Sequence, residues 1–187
     1  MTILSSFTSE EAELIISLPY RVGMHVSYSE DEDGERDDEL EMKALKTALR
    51  EEAQAEDGNS VVQEIAGATL ESEDKWEAWG QGVFNIEPLC ERAVATLRTQ
   101  ASTEDVKAYV KMCLNVASSV ARAYGEFGED GAAQDNSGSG IFGRIMGEIS
   151  KAVSGGGADA HHPMNVSAAE DSAIERIAQA MKRALSE

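Results

Sequence analysis

A dense group of carboxylates occupies the stretch SEDEDGERDDELE at residues 29–41, where nine of the twelve positions from Glu30 to Glu41 are Asp or Glu. Hard cations take roughly six to eight oxygen ligands, and a bound cation relieves the repulsion between crowded carboxylates. The stretch therefore predicts a divalent-cation site, with calcium favoured because nitrogen and sulfur ligands are scarce. The candidate ligands within it are Asp31, Asp33, Glu35, Asp37 and Glu39.

This acidic stretch does not fit the EF-hand loop. Placing Gly34 at loop position 6 puts Ser29 at position 1 and Leu40 at position 12, where the loop requires a bidentate Glu. The alternative to a metal site is a solvated helix junction, in which the acids cap a helix and interact with its dipole. His25, one helical turn earlier, is either a further ligand or a packed bystander. The residues leave these alternatives open.

Other chemistry finds little support in the sequence. The P-loop, GxSxG, HExxH and Glu-x-x-His patterns are all missing. Cys90 and Cys113 do not form a CxxC pair, so we expect small buried hydrophobic side chains in a reducing compartment rather than a zinc or redox site. We therefore expect a protein without enzymatic activity.

The charge and composition bound the class of partner. A formal net charge of −19 over 187 residues disfavours nucleic acid and anionic membrane surfaces, and it favours a protein partner with a basic surface. No apolar run approaches the roughly 20 residues that span a bilayer, so we expect no membrane insertion. The N-terminus lacks the cationic region of a secretory signal. Together these features predict a cytoplasmic location.

Apolar residues recur at helical spacing along most of the chain. This periodicity, with only three prolines and few aromatics, predicts an all-α protein built as a compact bundle of about seven helices. Pro19 removes one backbone hydrogen bond, so we expect a kink in the first helix or a break into two. The predicted helices are 9–28, a second from Asp37 or Asp38 to about 54, 60–70, 86–99, 102–124, 141–153 and 168–187.

The C-terminal part of the chain has a different composition. Residues 154–167 are rich in glycine and predict a flexible linker. The domain would then comprise residues 1–153. Residues 168–187 form an amphipathic helix, which we expect to pack on this domain because its apolar face must be buried.

Two parts of the chain share one plan, which is compatible with two related helical halves. A long apolar helix enters an acidic loop containing Asp-Gly, at Asp33-Gly34 and again at Asp130-Gly131, and a second helix follows. With Glu39 opening the next helix, this arrangement resembles the TerB-like helical family, which is linked to tellurite resistance and stress response. The resemblance implies cation binding at the helix junctions. It points to Asp33 and Glu39 in the first half and Asp130 in the second, where Asp135 is the nearest further acid.

Two functions follow as expectations. One is a TerB-like domain that binds a divalent cation through its acidic helix-junction loops in a stress-response system. The other is an acidic helical interaction module or adaptor that binds no metal.

Overall fold

A computed structural model describes residues 2–29, 35–55, 58–127 and 168–186. Within these ranges the chain forms seven α-helices and no strands, so the predicted all-α bundle is confirmed. Short 3-10 turns cover Ile3–Ser6, Glu73–Lys75 and Val83–Asn85. The helices are α1 (Ser9–Ser27), α2 (Glu35–Gln54), α3 (Ser60–Glu71), α4 (Trp76–Gly80), α5 (Ile86–Arg98), α6 (Thr103–Phe127) and α7 (Ala168–Ser186).

Local sequence signals set several helix ends. Thr8 and Glu11 form a reciprocal capping box, with the Glu11 amide donating to Thr8 Oγ1 at 3.3 Å and the Thr8 amide donating to Glu11 Oε2 at 2.9 Å. A second capping box joins Ser102 and Asp105, with the Asp105 amide donating to Ser102 Oγ at 3.1 Å and the Ser102 amide donating to Asp105 Oδ2 at 3.2 Å. The two boxes satisfy amides that would otherwise lack partners where α1 and α6 begin.

Of the kink or break expected at Pro19, the break does not occur, because α1 runs as one helix from Ser9 to Ser27. A proline removes the amide that would bond the carbonyl four residues earlier, here that of Ile15. The Tyr109 hydroxyl, on α6, donates to that carbonyl oxygen at 2.8 Å. A tertiary hydrogen bond therefore replaces the local one, and α1 stays continuous.

Helix α2 starts earlier than the sequence suggests. Its first residue is Glu35, so Asp37 and Asp38, the two predicted starting positions, lie within its first turn. Carboxylates in the first turn interact favourably with the positive end of the helix dipole. This placement explains how a strongly acidic segment can begin a helix.

Helix α6 lies at the centre of the bundle and packs against α1 and α2. Its buried positions include Tyr109, Met112, Leu114 and Val116, all fully buried, which matches its long apolar periodicity. Helix α7 packs mainly on α5. Its apolar stripe is buried there, with Ile177 and Met181 fully inaccessible to solvent.

Polar contacts add to the packing of α7 on α5. Arg183 Nε donates to Glu91 Oε1 at 2.7 Å, and the Arg98 guanidinium donates to the backbone carbonyl of Ala184.

Three predicted segments lie outside the described residues: the linker, the helix at 141–153 and the second acidic loop. Within the described ranges, no helix has the length and apolar character required to cross a membrane.

The segment between α3 and α5 is anchored by two tryptophans. Trp76 and Trp79 are buried, with Trp76 Nε1 donating to the Thr69 carbonyl at 3.0 Å and Trp79 Nε1 donating to Glu13 Oε1 at 3.1 Å. The Trp76 ring also stacks on Tyr20, with ring centroids 4.7 Å apart. These contacts hold the chain against α1 just before the 3-10 turn Val83–Asn85.

Candidate functional site

The structure describes only part of the predicted cation site. Among the predicted ligands, Glu39 is exposed on α2. Glu35 and Asp37 lie in the first turn of α2, and their side chains are outside the described part. The predicted ligands that lie wholly outside the described residues are Asp31, Asp33, Asp130 and Asp135.

One acid of the same stretch has a structural role. Glu41 is 8% exposed, and its Oε2 accepts a hydrogen bond from Ser27 Oγ at 2.5 Å, which joins the end of α1 to the first part of α2. Charge-assisted hydrogen bonds of this kind are stronger than neutral ones. Among the described residues, no group of three or more His, Cys, Asp or Glu side chains is placed to hold a metal ion. The cation site therefore stays a prediction.

An exposed aromatic pair lies where α1 ends. Tyr28 and Phe84 are 48% and 76% exposed, and they are the large hydrophobic side chains that the described part of the chain leaves in solvent. Their rings stack on each other, with centroids 6.0 Å apart and planes inclined by 28°. Exposed apolar side chains that are contiguous mark interaction surfaces more often than isolated ones do.

His25 lies three residues before Tyr28 on α1 and joins this helix to the 3-10 turn that carries Phe84. It is 8% exposed, and its Nδ1 lies 2.9 Å from the carbonyl oxygen of Val83, the residue before Phe84. Because a carbonyl only accepts, Nδ1 carries the proton. In the neutral ring Nε2 is then a bare acceptor, and it is buried with no partner among the described residues.

The surroundings of His25 favour its neutral form. Burial is the main cause that lowers its pKa below the usual value, and the charge of Arg176 on α7 lowers it further. The hydrogen bond to Val83 and the charge of Glu87 oppose this shift. The structure thus places His25 as a buried residue that ties α1 to the 3-10 turn.

The two cysteines do not form a reactive site. Cys90 and Cys113 are free and fully buried, as predicted. Burial raises the pKa of both thiols, so both remain protonated near neutral pH. A protonated, inaccessible thiol is a poor nucleophile.

Sequence reasoning did not identify Phe84. The sequence signal that could have identified it is its position in GVFNI. The apolar residues Val83 and Ile86 are three positions apart and both buried, and Phe84 does not share this spacing. Gly82, with φ of 82°, takes the left-handed conformation immediately before the turn Val83–Asn85. The 3-10 turn leaves Phe84 exposed while Val83 and Ile86 face the core.

The fold and these contacts define an all-α helical bundle with an exposed aromatic pair. Comparison with protein-family models, with curated proteins and with solved structures finds no match to this chain. The TerB-like resemblance therefore rests on the sequence motif alone.

Proposed function

We propose that the chain is a non-catalytic interaction module that binds a protein partner with a basic surface. The observation that carries the proposal is the stacked, exposed pair of Tyr28 and Phe84 on a chain with a net charge of −19. Interfaces are enriched in aromatic residues, and an acidic field attracts basic partners and steers their approach. The same charge disfavours nucleic acid as the partner.

The buried thiols support the absence of catalysis, and they support a cytoplasmic location as a further part of the proposal. Because Cys90 and Cys113 are protonated and inaccessible, neither supplies a nucleophile. Two free cysteines without a disulfide are also typical of a reducing compartment, which supports a cytoplasmic location.

Site-specific photo-crosslinking tests the interaction. A photoreactive benzoylphenylalanine is introduced at Phe84, and a matched control carries it at Thr99, which is exposed beyond the far end of α5. In lysates of the native cells, we expect position 84 to crosslink to a protein with a basic surface. High salt during photolysis should lower the yield of this crosslink. Identical crosslinks at the two positions, or none at Phe84, would contradict the proposal.

The carboxylate density of residues 30–41 favours a second candidate, a TerB-like domain that binds calcium in a stress-response system. A ligand that binds only the folded state raises the melting temperature by mass action. We expect calcium to raise it, and Asp33→Asn combined with Glu39→Gln to remove most of the rise. A melting curve that calcium, magnesium and zinc all leave unmoved would contradict cation binding.

A further inference from the structure

Phe84 is held in solvent by a well-anchored backbone. Val83 is fully buried and Ile86 is 1% exposed, so the chain is fixed on both sides of Phe84. The Val83 carbonyl also accepts the hydrogen bond from His25 Nδ1. The aromatic ring is therefore presented by a structure that the core already orders, and its exposure is not the result of a loose loop.

Tyr28 is anchored in the same way from the other side. It is the C-cap residue of α1, and its amide donates to the Met24 carbonyl at 3.0 Å. Its ring contacts that of Phe84, so each ring limits the movement of the other. A surface that is ordered before binding loses little conformational entropy in a complex. This property favours a binding role for the pair.

The net negative charge of the chain favours a positively charged occupant at this surface. Two copies of a chain that carries −19 repel each other, which disfavours self-association. Glu87 lies three residues after Phe84, and its side chain is 43% exposed and forms an ion pair with Arg183, with Glu87 Oε2 3.7 Å from Arg183 Nη2. The net negative charge of the chain therefore favours a positively charged occupant at the rings.

Arginine fits an exposed aromatic pair on an acidic chain better than lysine does. Its planar guanidinium stacks on aromatic faces and forms bidentate hydrogen bonds with carboxylates, whereas the ammonium of lysine is a compact, strongly hydrated charge. We propose that Tyr28 and Phe84 form the docking surface for an arginine-bearing segment of a basic protein partner. The inference rests on the proposed function and names the chemistry that its binding site recognises.

Two short peptides of equal charge, one alternating arginine with glycine and the other lysine with glycine, provide the probes. Fluorescence anisotropy measures their affinities for the full chain at low salt. We expect the arginine peptide to bind more tightly, by about two- to fivefold for each ring that it contacts. Combined Tyr28→Ser and Phe84→Ser should abolish this preference and leave the affinity for the lysine peptide nearly unchanged.

A matched variant separates stacking from simple apolar contact. Phe84→Leu keeps an apolar side chain but removes the ring, so we expect it to weaken binding of the arginine peptide nearly as much as Phe84→Ser does. Phe84→Trp, which offers a better aromatic face, should strengthen it. Because Phe84 is 76% exposed, the melting temperature of these variants should stay close to that of the parent chain.

The outcomes distinguish the inference from the proposed function. If the parent chain binds both peptides equally, or if the serine variants keep the arginine preference, the docking surface is wrong while a basic partner stays possible. If neither peptide binds and position 84 gives no crosslink, the proposed function itself fails. A parent chain that sediments as a dimer, together with a monomeric Phe84→Ser variant, would identify the surface as a contact between copies and overturn the inference.

Discussion

The hydroxyl oxygen of Tyr109 lies 2.8 Å from the carbonyl oxygen of Ile15, although the two residues are 94 positions apart in the sequence. Pro19 has no amide to donate to this carbonyl, so the tyrosine supplies the hydrogen bond that the proline removes. Since Tyr109 is fully buried, water cannot take its place. The bond couples the continuity of α1 to the position of α6.

Replacing this tyrosine tests that coupling. Tyr109→Phe leaves a buried carbonyl without a donor, and we expect the free energy of unfolding to fall by about 1–3 kcal/mol. Urea denaturation measures the change. In a Pro19→Ala background the amide of residue 19 can bond Ile15, so the same substitution should cost less. Equal costs in the two backgrounds would show that the hydroxyl does not compensate for the proline.

Gly23 permits the close approach of α1 and α2. A Cβ at this position would lie 2.6 Å from Leu45 Cδ1 and 3.4 Å from Val116 Cγ1. Because Leu45 is buried, we expect the overpacking in Gly23→Ala to cost about 1–3 kcal/mol, which exceeds the gain in helix propensity.

Gly67→Ala is the matched control for this overpacking. It lies inside α3, and a Cβ there meets nothing within 4 Å. The variant should therefore be more stable than the parent chain, by about 0.5–1 kcal/mol. Thermal and urea unfolding of both variants measure the contrast. Equal stabilisation by the two alanines would refute the close approach of α1 to α2.

His25 should make stability depend on pH. Burial lowers its pKa below the usual 6.5, so the unfolded chain binds a proton more readily than the folded chain. The free energy of unfolding therefore falls as the pH drops below about 6.5, by at most about 1.4 kcal/mol for each pH unit, and the loss is complete below the folded-state pKa. His25→Asn keeps a donor for the Val83 carbonyl but cannot titrate. The stability of the parent chain relative to this variant should decline with acidification, and parallel pH profiles would contradict the assignment.

Glu64 holds the N-terminal turn on α3. Its two carboxylate oxygens accept the amides of Ile3 and Leu4, each at 2.9 Å. Glu64→Gln has only one acceptor oxygen, so we expect faster amide hydrogen exchange at these two residues and a loss of roughly 1 kcal/mol in the free energy of unfolding. Glu71→Gln, exposed on the same helix, should change neither quantity. Unchanged exchange in Glu64→Gln would show that the bidentate contact contributes little.

Much of the fold could be predicted because its signals are local. Helical periodicity predicted the bounds of α3, α5 and α6 within a few residues. The start of α2 was misplaced by two or three residues, since acids fit an N-cap and a first turn almost equally well. The cation site stays a prediction because most of its side chains lie outside the described residues.

The sequence by itself determined that this chain is helical, where most of its helices lie and how strongly acidic it is, because these properties depend on residues a few positions apart or on composition. Only the tertiary structure decided that α1 continues through Pro19, that His25 is buried against the Val83 carbonyl, and that Phe84 meets Tyr28 in solvent. Those outcomes depend on contacts between residues 56 to 94 positions apart, from Tyr28 with Phe84 to Ile15 with Tyr109. Such pairings are set by how whole helices pack, and periodicity along one helix carries no record of them.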